Sequence, residues 1–155
     1  MSVKAQLSYD FIVASFIFLL VISVLLIQWA HVSAQIDETR YINNLIDKAY
    51  LASHVWFREG VPANWNKTNV ISLGLQDEYE FNQTKMNSLD DIGYEGVKAL
   101  IGLEGLEFFF EVYDEENITQ FSFGSIPVNS RDVIRIKRVG IFNETIVFID
   151  TMVWR

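Results

Sequence analysis

The chain has 155 residues, 50% of them apolar, a formal net charge of −8 and no cysteine. Such a length accommodates one membrane helix and one domain of roughly 95 to 120 residues. The negative balance argues against nucleic acid, whose phosphates it repels, and the lack of thiols excludes disulfides, a lipid-anchored cysteine and thiolate metal sites.

The first element in chain order is an apolar run from Phe11 to Ala30. It carries no charge, and Ser15, Ser23 and Gln28 are its only polar members. In helical form its 20 residues rise about 30 Å, enough to cross the hydrocarbon core of a bilayer. A secretory signal differs: its apolar core is shorter, basic residues lie immediately before that core, and a small-residue cleavage site follows it. Here the small residue, Ala5, precedes the run and stands beside Lys4. An acid, Asp10, sits at the lip of the apolar segment, where its cost invites a functional reading.

Lys4-Ala5 followed by Gln6-x-Ser8-x-Asp10 and a long apolar helix resembles the class III signal of archaeal type IV pilins. The euryarchaeal pattern is Gln-x-Ser-x-Glu-x-x-x-Leu, cut by a prepilin peptidase just before the Gln. The resemblance implies cleavage between Ala5 and Gln6, which makes Asp10 the fifth residue of the mature chain. Two positions depart from the pattern: Asp10 replaces Glu and Ala14 replaces Leu. Downstream, Asn64-Trp65-Asn66-x-Thr68, Leu73-Gly74-Leu75 and Val153-Trp154-Arg155 are similar to segments of longer pilin-like proteins. The resemblance further implies a signal peptide over 1–5, a transmembrane and filament-core helix over 6–30, its extracellular continuation over 31–60, and a mainly β head over 61–155. The implied partners are copies of the chain or other pilins, the peptidase, an assembly ATPase and a platform protein.

Asp10 also acquires a role by that resemblance. In a pilin filament the apolar helices pack into a central bundle, where an unpaired carboxylate is costly and a buried amine removes much of the cost. Cleavage before Gln6 creates such an amine, so Gln6 of one subunit and Asp10 of the next would form a register pair; cyclisation of the terminal Gln would abolish the amine's charge. The other reading makes Asp10 an ordinary interfacial acid at a helix start. Phe11, Ile12, Val13, Phe16, Phe18, Leu19 and Leu20 would supply the bundle's packing surface. In lipid their association gains little, whereas in a water-surrounded filament each unpacked apolar face is penalised at about 25 cal/mol per Å².

Beyond the membrane segment, Ile42, Leu45, Ala49, Ala52 and Trp56 step by three and four, the spacing of one helical face. Gly60 and Pro62 end the pattern, so a helix is expected from about Leu7 to Arg58. Its first half is apolar all round and its second half amphipathic. The alternative is a bitopic anchor followed by a separate helix, with a break near His31 to Gln35.

The head reads as mainly β. Ser88 is expected to cap a short helix whose apolar side is Ile92, Val97, Leu100 and Ile101 and whose end is Gly102. Leu106 to Tyr113 alternates as a strand with one core face. Asp114 to Asn117 supplies a turn, and Thr119, Phe121 and Phe123 continue beyond it. Val133 to Ile141 and Ile146 to Trp154 form a hairpin around Phe142-Asn143-Glu144-Thr145. The last strand is apolar on both faces, which predicts a central position under the long helix. The expected fold is therefore α+β: a long N-terminal transmembrane and stalk helix packed on a small antiparallel, four-stranded sheet, as in type IV pilins.

Four sequons, at Asn66, Asn82, Asn117 and Asn143, fit the N-glycosylation pattern. With ten Asn and 17 Ser or Thr, chance gives about one. Asn and Thr also gather in turns for conformational reasons, which is the competing explanation. Glycans at the Asn117 and Asn143 turns would shield sheet ends from edge pairing. Sequons and leader alike place the C-terminal domain outside the cell.

No catalytic, cofactor or metal site emerges. His31 and His54 have no Ser or Cys partner in a nucleophile motif, Asp114-Glu115-Glu116 lacks the spaced ligands of a calcium loop, and no Lys follows Gly102-x-x-Gly105 as a phosphate loop requires. The sequence thus points to a non-enzymatic subunit, minor or specialised, of a surface filament serving adhesion. The alternative is a bitopic, membrane-anchored extracellular protein of the envelope or motility machinery that stays out of filaments.

Overall fold

The structure, a computed structural model, describes the backbone of residues 3–155 and the side chains from Asp10 onward. The side-chain interactions of Lys4, Ala5, Gln6 and Ser8, and with them the expected cleavage junction, lie outside the described residues. The chain divides into two units, one ending at Tyr41 and the other spanning Ile42–Arg155.

Helix α1 runs over Val3–Val55 without a break at 31–35. It ends three residues before the expected Arg58, because Phe57 N and Arg58 N donate to His54 O and Val55 O at 3.2 and 3.3 Å in a tighter final turn. Gly60, at φ +82°, then reverses the chain where a side chain would strain. The helical spacing of 42–56 does its expected work: Leu45, Ala49, Ala52 and Trp56 are buried in the head.

Two short strands, β1 (Gln76–Asp77) and β2 (Glu80–Phe81), precede helices α2 (Gln83–Ile92) and α3 (Tyr94–Leu100). Strands β3 (Glu107–Tyr113), β4 (Thr119–Gly124), β5 (Val133–Phe142) and β6 (Thr145–Trp154) complete the head. The sheet order is β1-β2-β5-β6-β3-β4. β6 is central, as its two-sided apolar pattern predicts. Asn143 (φ +51°) and Glu144 (φ +62°) form the two-residue β5–β6 turn with both residues left-handed, the geometry that matches strand twist.

The head departs from expectation at two places. The sheet is mixed and six-stranded, not antiparallel and four-stranded, because β2 pairs in parallel with β5 at Glu80 and Ile141. A two-residue pairing leaves no periodic signal in sequence. Ser88 is not an N-cap but an interior residue of α2, its Oγ donating back along the helix to Thr84 O at 2.9 Å. The cap is Asn82, and the apolar side of the helical region is split at Gly93 between α2 and α3.

The core lies between the sheet and the last turns of α1. Trp56 is fully buried, stacks on Phe108 and tilts against Phe110 at centroid distances of 6.1 and 4.7 Å, and donates from Nε1 to Thr151 Oγ1 at 3.1 Å. Val147, Ile149 and Val153 of β6 fill the same face. Phe148, Asp150, Met152 and Trp154 take the opposite face by strand alternation.

Candidate functional site

Three groups of residues carry candidate function: the apolar run of α1, the exposed turns of the head, and the buried charges that tie the elements of the head together. In α1, Phe11, Ile27 and Trp29 are 73%, 70% and 71% exposed, and none of the most apolar 18-residue window is buried. The interior helix of a soluble domain covers such residues with its own chain. This helix is long and apolar enough to cross a membrane; a signal sequence near an N-terminus meets the same criterion of length and composition. Ser23 Oγ donates to Leu19 O at 2.8 Å, so that hydroxyl is satisfied within the helix, as a lipid surrounding requires.

Asp10 is exposed at the start of the run. Phe11, Ile12, Val13, Phe16, Phe18, Leu19 and Leu20 are all exposed as well. At about 100° per residue they cover more than half of the helix circumference. The His31 ring lies 3.2 Å from the Gln35 amide, one turn along the exposed helix, and His54 packs edge-on against Tyr50. The two histidines are not brought together with a nucleophile.

The four sequons differ in their surroundings. Asn66 is exposed, and its Oδ1 accepts from Thr68 N and Thr68 Oγ1 at 2.9 and 2.7 Å, while its backbone N donates to Asn69 Oδ1 at 2.6 Å; its side-chain Nδ2 makes no hydrogen bond among the described residues. Asn117 (φ +61°) and Asn143 are exposed in tight turns. Asn143 and the acidic turn 114–116 line one open cavity of about 450 Å³. In that turn Asp114 Oδ1 accepts from Glu116 N and Ile118 N, both at 2.9 Å. Among the described residues no group of three or more His, Asp or Glu is arranged to hold a metal ion.

Asn82 is half-buried and engaged on both side-chain atoms. Its Oδ1 caps α2 by accepting from Lys85 N at 3.0 Å, while its Nδ2 donates to Asp77 Oδ2 at 2.7 Å. A sugar on Nδ2 would disturb that bond. Glycopeptide mass spectrometry of natively isolated protein is accordingly expected to find Asn82 the least occupied of the four sequons. Asn82→Ala is expected to cost about 1 kcal/mol as a lost cap, read as a lower denaturation midpoint.

Sequence reasoning missed the buried charges. Lys85 is 5% exposed; its Nζ donates to Glu59 O and Gln76 O at 2.8 and 3.0 Å and pairs with Asp77. It ties α2 to the chain leaving α1 and to the β1–β2 hairpin. Nothing in the polar stretch 82–88 announces this. Asp150 is fully buried and pairs with Arg135 across β5 and β6. It does have a sequence signal, since a lone acid in the two-sided apolar run 146–154 must find a partner.

A third cluster joins α3 to β3. Tyr94 OH donates to Glu107 Oε2 at 2.7 Å, and Lys98 Nζ to Glu107 Oε1 at 2.9 Å. The Tyr94 hydrogen bond, followed by that of Lys98, holds the Glu107 carboxyl below the usual carboxylate range. Burial, then the Glu107 hydrogen bond, pushes the Tyr94 phenol up. Because the folded Glu107 value is depressed, its stabilisation is complete above the ordinary carboxylate pKa of about 4.3 and is lost as pH falls through the lower folded value. Acid titration of the melting temperature is expected to fall more steeply below about pH 4 in the parent than in Glu107→Gln.

Comparison with protein-family models, with curated proteins and with solved structures returns no match.

Proposed function

We propose that the chain is a structural subunit, minor or specialised, of an archaeal type IV pilus-like surface filament, anchored in the membrane before assembly and serving adhesion. The observation that carries this reading is the division of labour along α1. Its run 11–30 is apolar and uncovered, whereas its last turns bury one face, Leu45, Ala49 and Ala52, with Trp56 just beyond the helix end, in a folded head. A helix of that kind suits a subunit that is held by lipid first and by neighbouring helices afterwards.

In this reading a prepilin peptidase cuts between Ala5 and Gln6, and the head lies outside the cell with its exposed sequons open to glycan transfer. The new Gln6 amine pairs with Asp10 of a neighbour, and copies of the chain or other pilins surround the run 11–20. An assembly ATPase and a platform protein drive extraction from the membrane. The type IV pilin-like layout of one long helix and an α+β head is part of the same proposal.

Mass spectrometry of the mature N-terminus tests it, using protein from native membranes and from sheared surface filaments. A chain beginning at Gln6, or its cyclised form, recovered in the sheared fraction is the expected result. A Met1 or Ser2 terminus found only in membranes would instead assign a bitopic anchor with an extracellular domain, and Asp10 would have no amine to meet.

A further inference from the structure

Two turns meet at one end of the sheet. β3 and β6 run antiparallel and their ladder closes at Tyr113 opposite Phe148, so the turn leaving β3 and the turn entering β6 lie side by side. Between them opens the cavity of about 450 Å³, within the range of ligand sites, about 300–1,000 Å³. Its lining has an apolar and a polar part. Ile146 presents a side chain that is 54% exposed, beside its cross-strand neighbour Ile141 at 41%. Glu115, Glu116 and Gln120 supply polar groups, and the two carboxylates make no ion pair among the described residues. Asp114 is engaged within its own turn, where Oδ1 accepts from two backbone N–H groups and Oδ2 accepts from Gln120 Nε2 at 2.9 Å.

The same cavity contains a point of covalent attachment. Asn143, the acceptor of the sequon Asn143-Glu144-Thr145, is exposed and lines it. The fold fixes where that attachment starts: Asn143 and Glu144 are the left-handed residues of a two-residue turn closed by the Phe142–Thr145 pair. Other sequons stand differently. Asn117 belongs to the neighbouring turn but does not line the cavity, and Asn82 borders another cavity with its amide tied to Asp77.

We infer that this cavity seats the glycan carried by Asn143, its first sugar laying a C–H face on Ile146 and donating hydroxyl protons to the Glu115 and Glu116 carboxylates. A pyranose has both chemistries, with C–H groups on its faces and hydroxyls around its rim. Covering Ile146 removes apolar surface from water, and hydrogen bonds to an ionised acceptor are the strong kind. The carboxylates repel an anionic ligand, so the first sugar is uncharged. Attachment decides the occupant: a sugar tethered at the rim reaches an effective concentration of millimolar order and fills the seat ahead of any free ligand. The glycan then becomes part of the fold, covering apolar surface and stiffening the hairpin tip. The inference rests on the glycan transfer in the reading above, and it adds where one glycan goes and what it does there.

Full-length chains that each keep one of these two sequons test it. Thr68→Ala, Thr84→Ala and Thr119→Ala together leave the sequon of Asn143, whereas Thr68→Ala, Thr84→Ala and Thr145→Ala leave that of Asn117. Each chain is made in native cells and in cells of the same strain lacking the oligosaccharyltransferase. Glycosylated and bare protein of identical sequence are then compared in detergent, so the effects of the substitutions cancel. The glycan on Asn143 is expected to raise the melting temperature of the head by at least about 2 °C and that on Asn117 by less than about 1 °C. Nuclear Overhauser contacts are expected between the first sugar and the Ile146 methyl groups, and Ile146→Ser should remove at least half of the Asn143 increment. An occupied Asn143 with no increment, with one that Asn117 equals, or with no contact to Ile146 would overturn the seat alone. A bare Asn143 in native cells, read by glycopeptide mass spectrometry, would overturn the glycan transfer itself and the seat with it.

Discussion

Trp56→Ala is expected to remove about 3–5 kcal/mol from the stability of the head. The side chain is fully buried, lies on Phe108 and Phe110, and donates to Thr151, itself fully buried. Truncation therefore leaves a cavity and an unpaired hydroxyl together, and the second adds about 1 kcal/mol or more. Domains of this size are stable by only about 5–15 kcal/mol, so the variant should sit near the threshold of folding. Trp56→Phe keeps most of the ring volume and loses the hydrogen bond, and it should cost less than half as much. Urea unfolding of detergent-solubilised full-length protein, followed by near-ultraviolet circular dichroism, measures both. An alanine variant with an unchanged midpoint would mean that the α1–sheet seam is not the core of this head.

Asp10→Ala is expected to leave the protein in the membrane while lowering its recovery in sheared filaments at least tenfold. The proposed register pair sets this expectation. An amine left without its carboxylate in an apolar bundle costs several times the roughly 1.4 kcal/mol that corresponds to a tenfold change. Membrane retention, which the proposal assigns to the apolar run, should not alter. Asp10→Glu restores the charge on a longer arm and should recover most of the incorporation. Quantifying membrane and sheared fractions by immunoblot separates the two effects. Normal entry of the alanine variant into filaments would reduce Asp10 to an interfacial acid at the start of the helix.

Much of this fold is legible in the sequence, and for identifiable reasons. Residues 42–56 carry a helical period that local sequence displays directly, and Leu45, Ala49, Ala52 and Trp56 are buried accordingly. The β5–β6 hairpin declares itself by two apolar strands around a short polar turn, and the central place of β6 agrees with its being apolar on both faces. The apolar run is equally plain, because a length of uncharged residues needs no partner to be recognised.

Other features arise from contacts between residues far apart in the chain, and local pattern is silent about those. The parallel β2–β5 pairing joins Glu80 to Ile141 through a strand too short to have a period. Helix α2 is capped by Asn82 and not by Ser88 because Asp77, in the hairpin beside it, holds the Asn82 amide and favours the earlier start. Lys85 and Asp150 are buried charges whose partners only folding supplies, and a charge enters the interior only where a partner waits. By itself the sequence determined the membrane-length helix, its amphipathic continuation and the principal strands, since each is written in the spacing of neighbouring residues. Tertiary structure alone decided which sequon asparagine is tied into a cap, which charges hold the hairpin, and that Asn143 borders the cavity beside the acidic turn, because those outcomes depend on what the folded chain places beside each residue.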